Sequence, residues 1–128
     1  HKIFAVDSSP GLLNGFKETI NHNMIPNITV IERNLFKYPL DQNDLRGFGA
    51  VVFDPPRAGA AAQVQKIAAM SSADKPERII AVSCNPQTFL SDAGQLLKGG
   101  YILNEVTMVD QFVYSEHCEL VALFTKKG

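Results

Sequence analysis

Cys84 stands in the run Ser83-Cys84-Asn85-Pro86, after a short apolar segment and just ahead of a proline that suits the first position of a helix. A thiol at such a place favours activation, because helix N-termini stabilise the thiolate that attacks carbon electrophiles. The plainer reading is a small buried hydrophobe, the commoner fate of a single cysteine. Upstream by about thirty residues, Asp54-Pro55-Pro56-Arg57 follows the apolar run Ala50-Val51-Val52-Phe53, and one strand-helix-strand crossover of that length brings both motifs to one rim. Two successive prolines stiffen a turn and fix the Asp side chain where it could wall a planar base. The alternative is a rigid loop in which Arg57 pairs a surface acid. Asp7 closes Ile3-Phe4-Ala5-Val6-Asp7, where nucleotide-binding sheets place an acid to accept hydrogen bonds from ribose hydroxyls, although the same Asp could simply cap the next helix.

The elements that must carry these residues alternate. Ile3 to Asp7 reads as a buried strand. Ser8-Ser9-Pro10 then opens a helix with Leu12, Leu13, Phe16 and Ile20 near helical spacing. Ile28 to Glu32 is a second strand, Pro39 to Gly49 a polar loop, and Ala50 to Phe53 a third strand stopped by the prolines. Ala60 to Met70 predicts a helix, Arg78 to Ser83 a strand, and Pro86 to Leu97 a helix ended by Lys98-Gly99-Gly100. Tyr101 to Phe112 and Cys118 to Lys126 complete the chain as two consecutive strands. This order predicts an α/β fold, a mostly parallel sheet with helices on both faces and an antiparallel pair at the edge. In such sheets ligands gather beyond the carboxyl ends of the strands, where Asp7, Asn34, Asp54, Cys84 and the segment from Asp110 to Glu119 fall.

Composition narrows the classes. The 128 residues suit one domain, here taken as residues 1–128, and 45% hydrophobic with 20% charged residues excludes a disordered tail or coiled coil. No apolar run reaches the ~18 residues of a membrane span, which points to a soluble cytoplasmic protein. A net charge of −1 argues against strong tracking of nucleic-acid phosphates by this piece alone. Two cysteines without CxxC spacing make neither a zinc site nor a disulfide framework, so no metal is expected. Because the chain opens at His1 directly on an apolar run, we expect a fragment whose N-terminal region lies elsewhere.

Taken together, Asp54-Pro55-Pro56-Arg57, Ser83-Cys84-Asn85-Pro86 and the run Asp110-Gln111-Phe112-Val113-Tyr114-Ser115-Glu116-His117-Cys118-Glu119 resemble the RNA (uracil-5-)-methyltransferase family, S-adenosylmethionine-dependent enzymes that form 5-methyluridine in ribosomal and transfer RNA. The Asp-Pro-Pro turn also resembles that of amino-methylating enzymes, but those carry an aromatic residue where Arg57 stands, which disfavours nitrogen methylation and leaves carbon open. The resemblance implies a Rossmann-like class I methyltransferase sheet truncated at its N-terminus, without its first strand and cofactor loop. It implies Cys84 as nucleophile, Glu119 as general base and Asp54 in the uracil pocket, counted with both the catalytic and the cofactor-contacting residues. Asp7 would bind the cofactor ribose, and Asn34 stands where such enzymes often have an acid near the adenine. Pro55, Arg57 and Asn85 would contact the substrate, with His117 a structural neighbour. The partner implied is RNA, ribosomal favoured over transfer RNA, held partly by the missing region. The piece itself is expected to be inactive, and to close the gap left between the strands ending at Asp7 and Asp54, to exchange a strand with a second copy as a dimer, or to have been cut from a folded parent.

The chemistry explains the residue set. Carbon 5 of uracil is a weak nucleophile until a thiolate adds at carbon 6 and returns electron density to it. The carbon-5 proton must then leave, which requires a base such as a carboxylate on the far strand pair. A catalytically silent binding or scaffold piece is the competing reading. A nicotinamide-linked oxidoreductase is weakened by the lack of a glycine-rich dinucleotide turn.

Overall fold

The computed structural model describes residues 1–110 and 118–128, which divide into two compact units, His1–Pro39 and Leu40–Gly128. In the first unit, β1 (Ile3–Asp7) pairs in parallel with β2 (Ile28–Glu32), Asp7 opposite Glu32. The connecting α1 (Pro10–His22) begins as expected, with Ser9 as N-cap and Pro10 in the first turn. Its apolar stripe is narrower than its spacing suggested: Leu13 and Ile20 are buried, whereas Leu12 and Phe16 are exposed.

In the second unit the strands run in the order β3 (Ala50–Phe53), β4 (Arg78–Ser83), β6 (Cys118–Lys126) and β5 (Tyr101–Asp110). β3 and β4 are parallel, and β6 is inserted antiparallel between β4 and β5. The antiparallel pair was expected. Two further features were not. The loop from Pro39 to Gly49 contains a one-turn helix, α2 (Gln42–Leu45), because Asp41 and Asp44 form a reciprocal capping box that satisfies its first amides. Among the described residues of this unit, helices are not seen on both faces. α3 (Ala61–Ala69) and α4 (Pro86–Lys98) lie side by side on one face, as the right-handed rule for crossovers requires when the steps from β3 to β4 and from β4 to β5 cross the sheet in the same direction.

The core follows from that placement. Ile79 and Ala81 of β4 and Ala122 and Phe124 of β6 alternate inward against Val64 and Ile67 of α3 and against Phe89 and Leu96 of α4. The close fit of the two helices depends on Gly99, where a Cβ would stand 2.7 Å from both Cα and Cβ of Ala68. Among the described residues β1 pairs only with β2, so the six strands form two sheets.

Candidate active site

The carboxyl ends of β3, β4 and β5 and the amino end of β6 share one rim of the four-stranded sheet. Phe53 lies opposite Ala81, which places Asp54 one residue further along the same edge. Ser83 pairs with Leu120, so Cys84, next after Ser83, and Glu119, next before Leu120, come to the same end of adjacent antiparallel strands. On the other side of β6, Glu119 pairs with Val109 and Cys118 with Asp110. Three residues singled out in the sequence, at positions 54, 84 and 119, are thus gathered at one rim by sheet register alone.

Pleat decides which way they face. Leu120, Ala122 and Phe124 are buried against α3 and α4, so Glu119 has the opposite parity and shares the sheet face of Val121. Glu119 is half-buried, and its Oε2 is fully buried with no hydrogen-bond partner among the described residues. An unpartnered acceptor of this kind is costly to keep, which suits a group whose partner arrives with a ligand. Cys84 is a free, half-buried thiol outside the apolar core. The Ser83 hydroxyl brackets it, donating to Asn85 O at 3.0 Å and accepting from Asn85 N at 3.2 Å.

The loop carrying Asp54 is tied down on its far side. Pro56 O accepts from Gly59 N at 2.9 Å, and Gly59 takes a φ of +82°, a conformation that L side chains rarely adopt. Arg57 O accepts from Asn85 Nδ2 at 3.0 Å and from Thr88 Oγ1 at 3.2 Å. Ala60 N donates to Asp92 Oδ2 at 2.9 Å. Asp92 is buried, and that burial pushes its carboxyl above the usual carboxylate range, with the Ala60 amide pulling the other way. Asn85 also caps α4, accepting from Gln87 N at 3.1 Å, so its side chain already serves the scaffold at both ends. Asp54 and Arg57 are exposed, and Pro55 is half-buried. A crevice behind the loop, lined in part by Phe53, Pro55, Ser83 and Asp92, has room for about one water and contains neither Cys84 nor Glu119.

Asp92 and Thr88 escaped the sequence reading. Their signal was present in the spacing of Asn85, Thr88 and Asp92, which puts three polar side chains on one side of α4. His117, together with the motif residues from Gln111 to Glu116, lies outside the described residues.

In the first unit, Asp7 is exposed at the carboxyl end of β1 beside Glu32 of β2, and its Oδ1 accepts from Ser9 N at 2.8 Å. Asn34 is exposed and turns the chain after β2, its Oδ1 accepting from Phe36 N at 3.0 Å and Lys37 N at 3.2 Å. An exposed strand-end carboxylate fits the vicinal hydroxyls of a nucleoside. Asn34 offers an amide in place of an acid, with its carbonyl oxygen already engaged by the turn.

Comparison with known proteins defines the class first. Precorrin-6y C5,15-methyltransferase from Geobacter metallireducens GS-15 superposes with a TM-score of 0.69 at 18% identity, over 98% of this chain and 67% of that one. M. jannaschii TYW2 in complex with AdoMet superposes with a TM-score of 0.64 at 14% identity, over 98% of this chain and 58% of the other. The fold is that of the class I S-adenosylmethionine methyltransferases. The family model described as tRNA (Uracil-5-)-methyltransferase matches residues 32–127, and the chain belongs to that family. An RNA methyltransferase of Brucella suis biovar 1 (strain 1330) is 39% identical over 125 residues, which are 97% of this chain and 29% of the relative. One of Agrobacterium fabrum is 46% identical over 99 residues, 77% of this chain and 23% of the relative. The chain therefore spans less than a third of the length of these curated relatives. The family's cofactor is S-adenosylmethionine, and the exposed Asp7 carboxylate is one described group whose chemistry is compatible with ribose hydroxyls.

Proposed function

We propose that the full-length protein methylates carbon 5 of a uridine in RNA, with Cys84 as nucleophile and Glu119 as general base. The observation that supports this reading most is the β4–β6 register, which sets a free thiol and a carboxylate whose buried oxygen has no partner among the described residues at one end of adjacent strands. The Cys84 thiolate adds to carbon 6 of the ring, and the carbon 5–carbon 6 π pair moves toward the carbon-4 carbonyl. S-adenosylmethionine supplies, when bound, the electrophilic methyl group that carbon 5 accepts. Glu119 then takes the carbon-5 proton, and the electrons of that bond rebuild the double bond and expel the Cys84 thiolate. Asp54, Pro55 and Arg57 hold the base, and Asn85 orients the loop beneath it. Asp7 accepts hydrogen bonds from the donor's ribose hydroxyls, with Asn34 near its adenine. With a net charge of −1, these residues leave most of the grip on the RNA backbone to the rest of the protein, acting in the cytoplasm.

The test uses the full-length protein with RNA in which 5-fluorouridine replaces uridine, plus the methyl donor. Fluorine cannot be abstracted as a proton, so a covalent adduct on Cys84 is expected to accumulate and to be absent from Cys84→Ala. With ordinary RNA, Glu119→Gln is expected to form the adduct and release it at least about 100-fold more slowly, within the usual range for losing a general base. No adduct in the unmodified protein favours the reading of a fold-retaining, catalytically silent scaffold; rapid turnover by Glu119→Gln removes Glu119 from its role.

A further inference from the structure

Asp92 is a buried carboxylate on a helix whose neighbouring face is apolar. The crevice it lines contains no other ionisable side chain. Burying a carboxylate is costly unless its hydrogen bonds compensate, and the bond seen is to the amide of Ala60, at the end of the loop that begins with Asp54. Two more bonds from the same face of α4, from Asn85 and Thr88, converge on the carbonyl of Arg57 in the middle of that loop. The loop lies directly on the helix: a Cβ on Gly59 would stand 2.9 Å from Thr88 Cβ and 3.1 Å from Asp92 Oδ2. The same helix starts two residues after Cys84, with Asn85 between them as its cap. One face of α4 therefore joins the two segments that carry the candidate chemistry.

We propose that Asp92, assisted by Thr88 and Asn85, is a positioning residue that sets where the 54–60 loop stands relative to the Cys84 sulfur. The inference rests on the functional reading above and deepens it. The Ala60 amide and the Arg57 carbonyl fix both halves of the turn, so a base held by Asp54 and Pro55 is presented to the thiol at a constant height. Loss of the Asp92 acceptor frees the loop to shift, and a displacement of about 1 Å of a reacting group can cost on the order of 100-fold in rate.

The experiment compares Asp92→Ala, Asp92→Asn and Thr88→Val in the full-length protein. It measures kcat, KM for the methyl donor, the rate of adduct formation on 5-fluorouridine RNA, and the folded fraction by circular dichroism. Asp92→Ala is expected to slow adduct formation and kcat by about 10- to 100-fold with KM for the donor unchanged. Asp92→Asn keeps an oxygen acceptor for Ala60 and is expected to recover to within about 5-fold of the unmodified protein, while Thr88→Val loses about 3- to 10-fold. Unchanged kcat per folded molecule in Asp92→Ala overturns the proposal, and so does an Asp92→Asn variant that folds but is as slow as Asp92→Ala. If Asp92→Ala does not fold, Thr88→Val decides: a kcat equal to that of the unmodified protein overturns the proposal. Absence of any adduct in the unmodified protein defeats the functional reading itself; a normal adduct there, with no effect of the variants, defeats this inference alone.

Discussion

At the scale of single residues, the Tyr101 hydroxyl is held inside the core, away from the rim. The side chain is 1% exposed, and its hydroxyl donates to Pro76 O at 2.9 Å, in a position that is itself fully buried. Burial, and after it the nearby Glu77 carboxylate, pushes its pKa up to about 12. Tyr101→Phe is expected to lower stability by about 1–3 kcal/mol in urea denaturation, because a buried carbonyl loses its donor. The sign of the pH effect follows from linkage. An unfolded tyrosine ionises near its ordinary value of 10.0, while the native hydroxyl holds its proton until about 12. The stabilising contribution is complete below pH 10 and is lost as pH rises to about 12, so Tyr101→Phe is expected to show a shallower alkaline decline. Asp54 and Cys84 were legible in the sequence because each directly follows an apolar strand, and Glu119 because it falls in the motif run that carries the family resemblance. Asp92 was not, because a polar residue within a helix looks the same in sequence whether it faces solvent or a backbone amide. Asn85 was legible as polar but not as doubly engaged, since capping and clamping both depend on where the 54–60 loop lies.

At the scale of elements, boundaries set by proline and glycine were readable and the side each helix takes was not. The prolines at 55 and 56 end β3, and Pro86 starts α4, as backbone chemistry requires. The face shared by α3 and α4 emerges only from strand order, which depends on β6 inserting between β4 and β5, a long-range pairing with no local signature. Gly99 shows the same division. It reads as a helix stop, yet its φ of −79° is open to any residue, and what excludes a side chain is the Ala68 backbone of the neighbouring helix. Gly99→Ala is expected to force the α3–α4 contact apart and to cost about 1–3 kcal/mol, measured as a shift in the urea midpoint without a change in slope. A variant as stable as the unmodified protein would show that the helices part there without loss.

At the scale of the whole molecule, the two units differ in what they bury. Every residue of the apolar core cluster belongs to the second unit, whereas the first contributes Leu13 and Ile20 as its buried hydrophobics. A two-stranded sheet with so little covered surface has limited stability of its own. In native-state hydrogen exchange, amides of β4 and β6 are expected to open only with global unfolding, and those of β1 and β2 at lower free energy. Equal protection in both sheets would contradict this. The sequence reading expected one sheet, and the described strands pair as two, because which strands pair is a long-range choice with no local signature.

The paired rungs from Arg78 and Thr125 to Ser83 and Leu120 carry a burden beyond holding two strands together. Side chains along a strand alternate between its two sides, so a slip by a single rung would swap the carboxylate at 119 for the thiol at 118 or the isobutyl group at 120. The proposed proton acceptor and nucleophile are thus kept in step by a ratchet whose tooth is one residue wide, and on that proposal single-residue insertions or deletions in the ladder are expected to abolish methylation by the full-length protein even where the chain still folds.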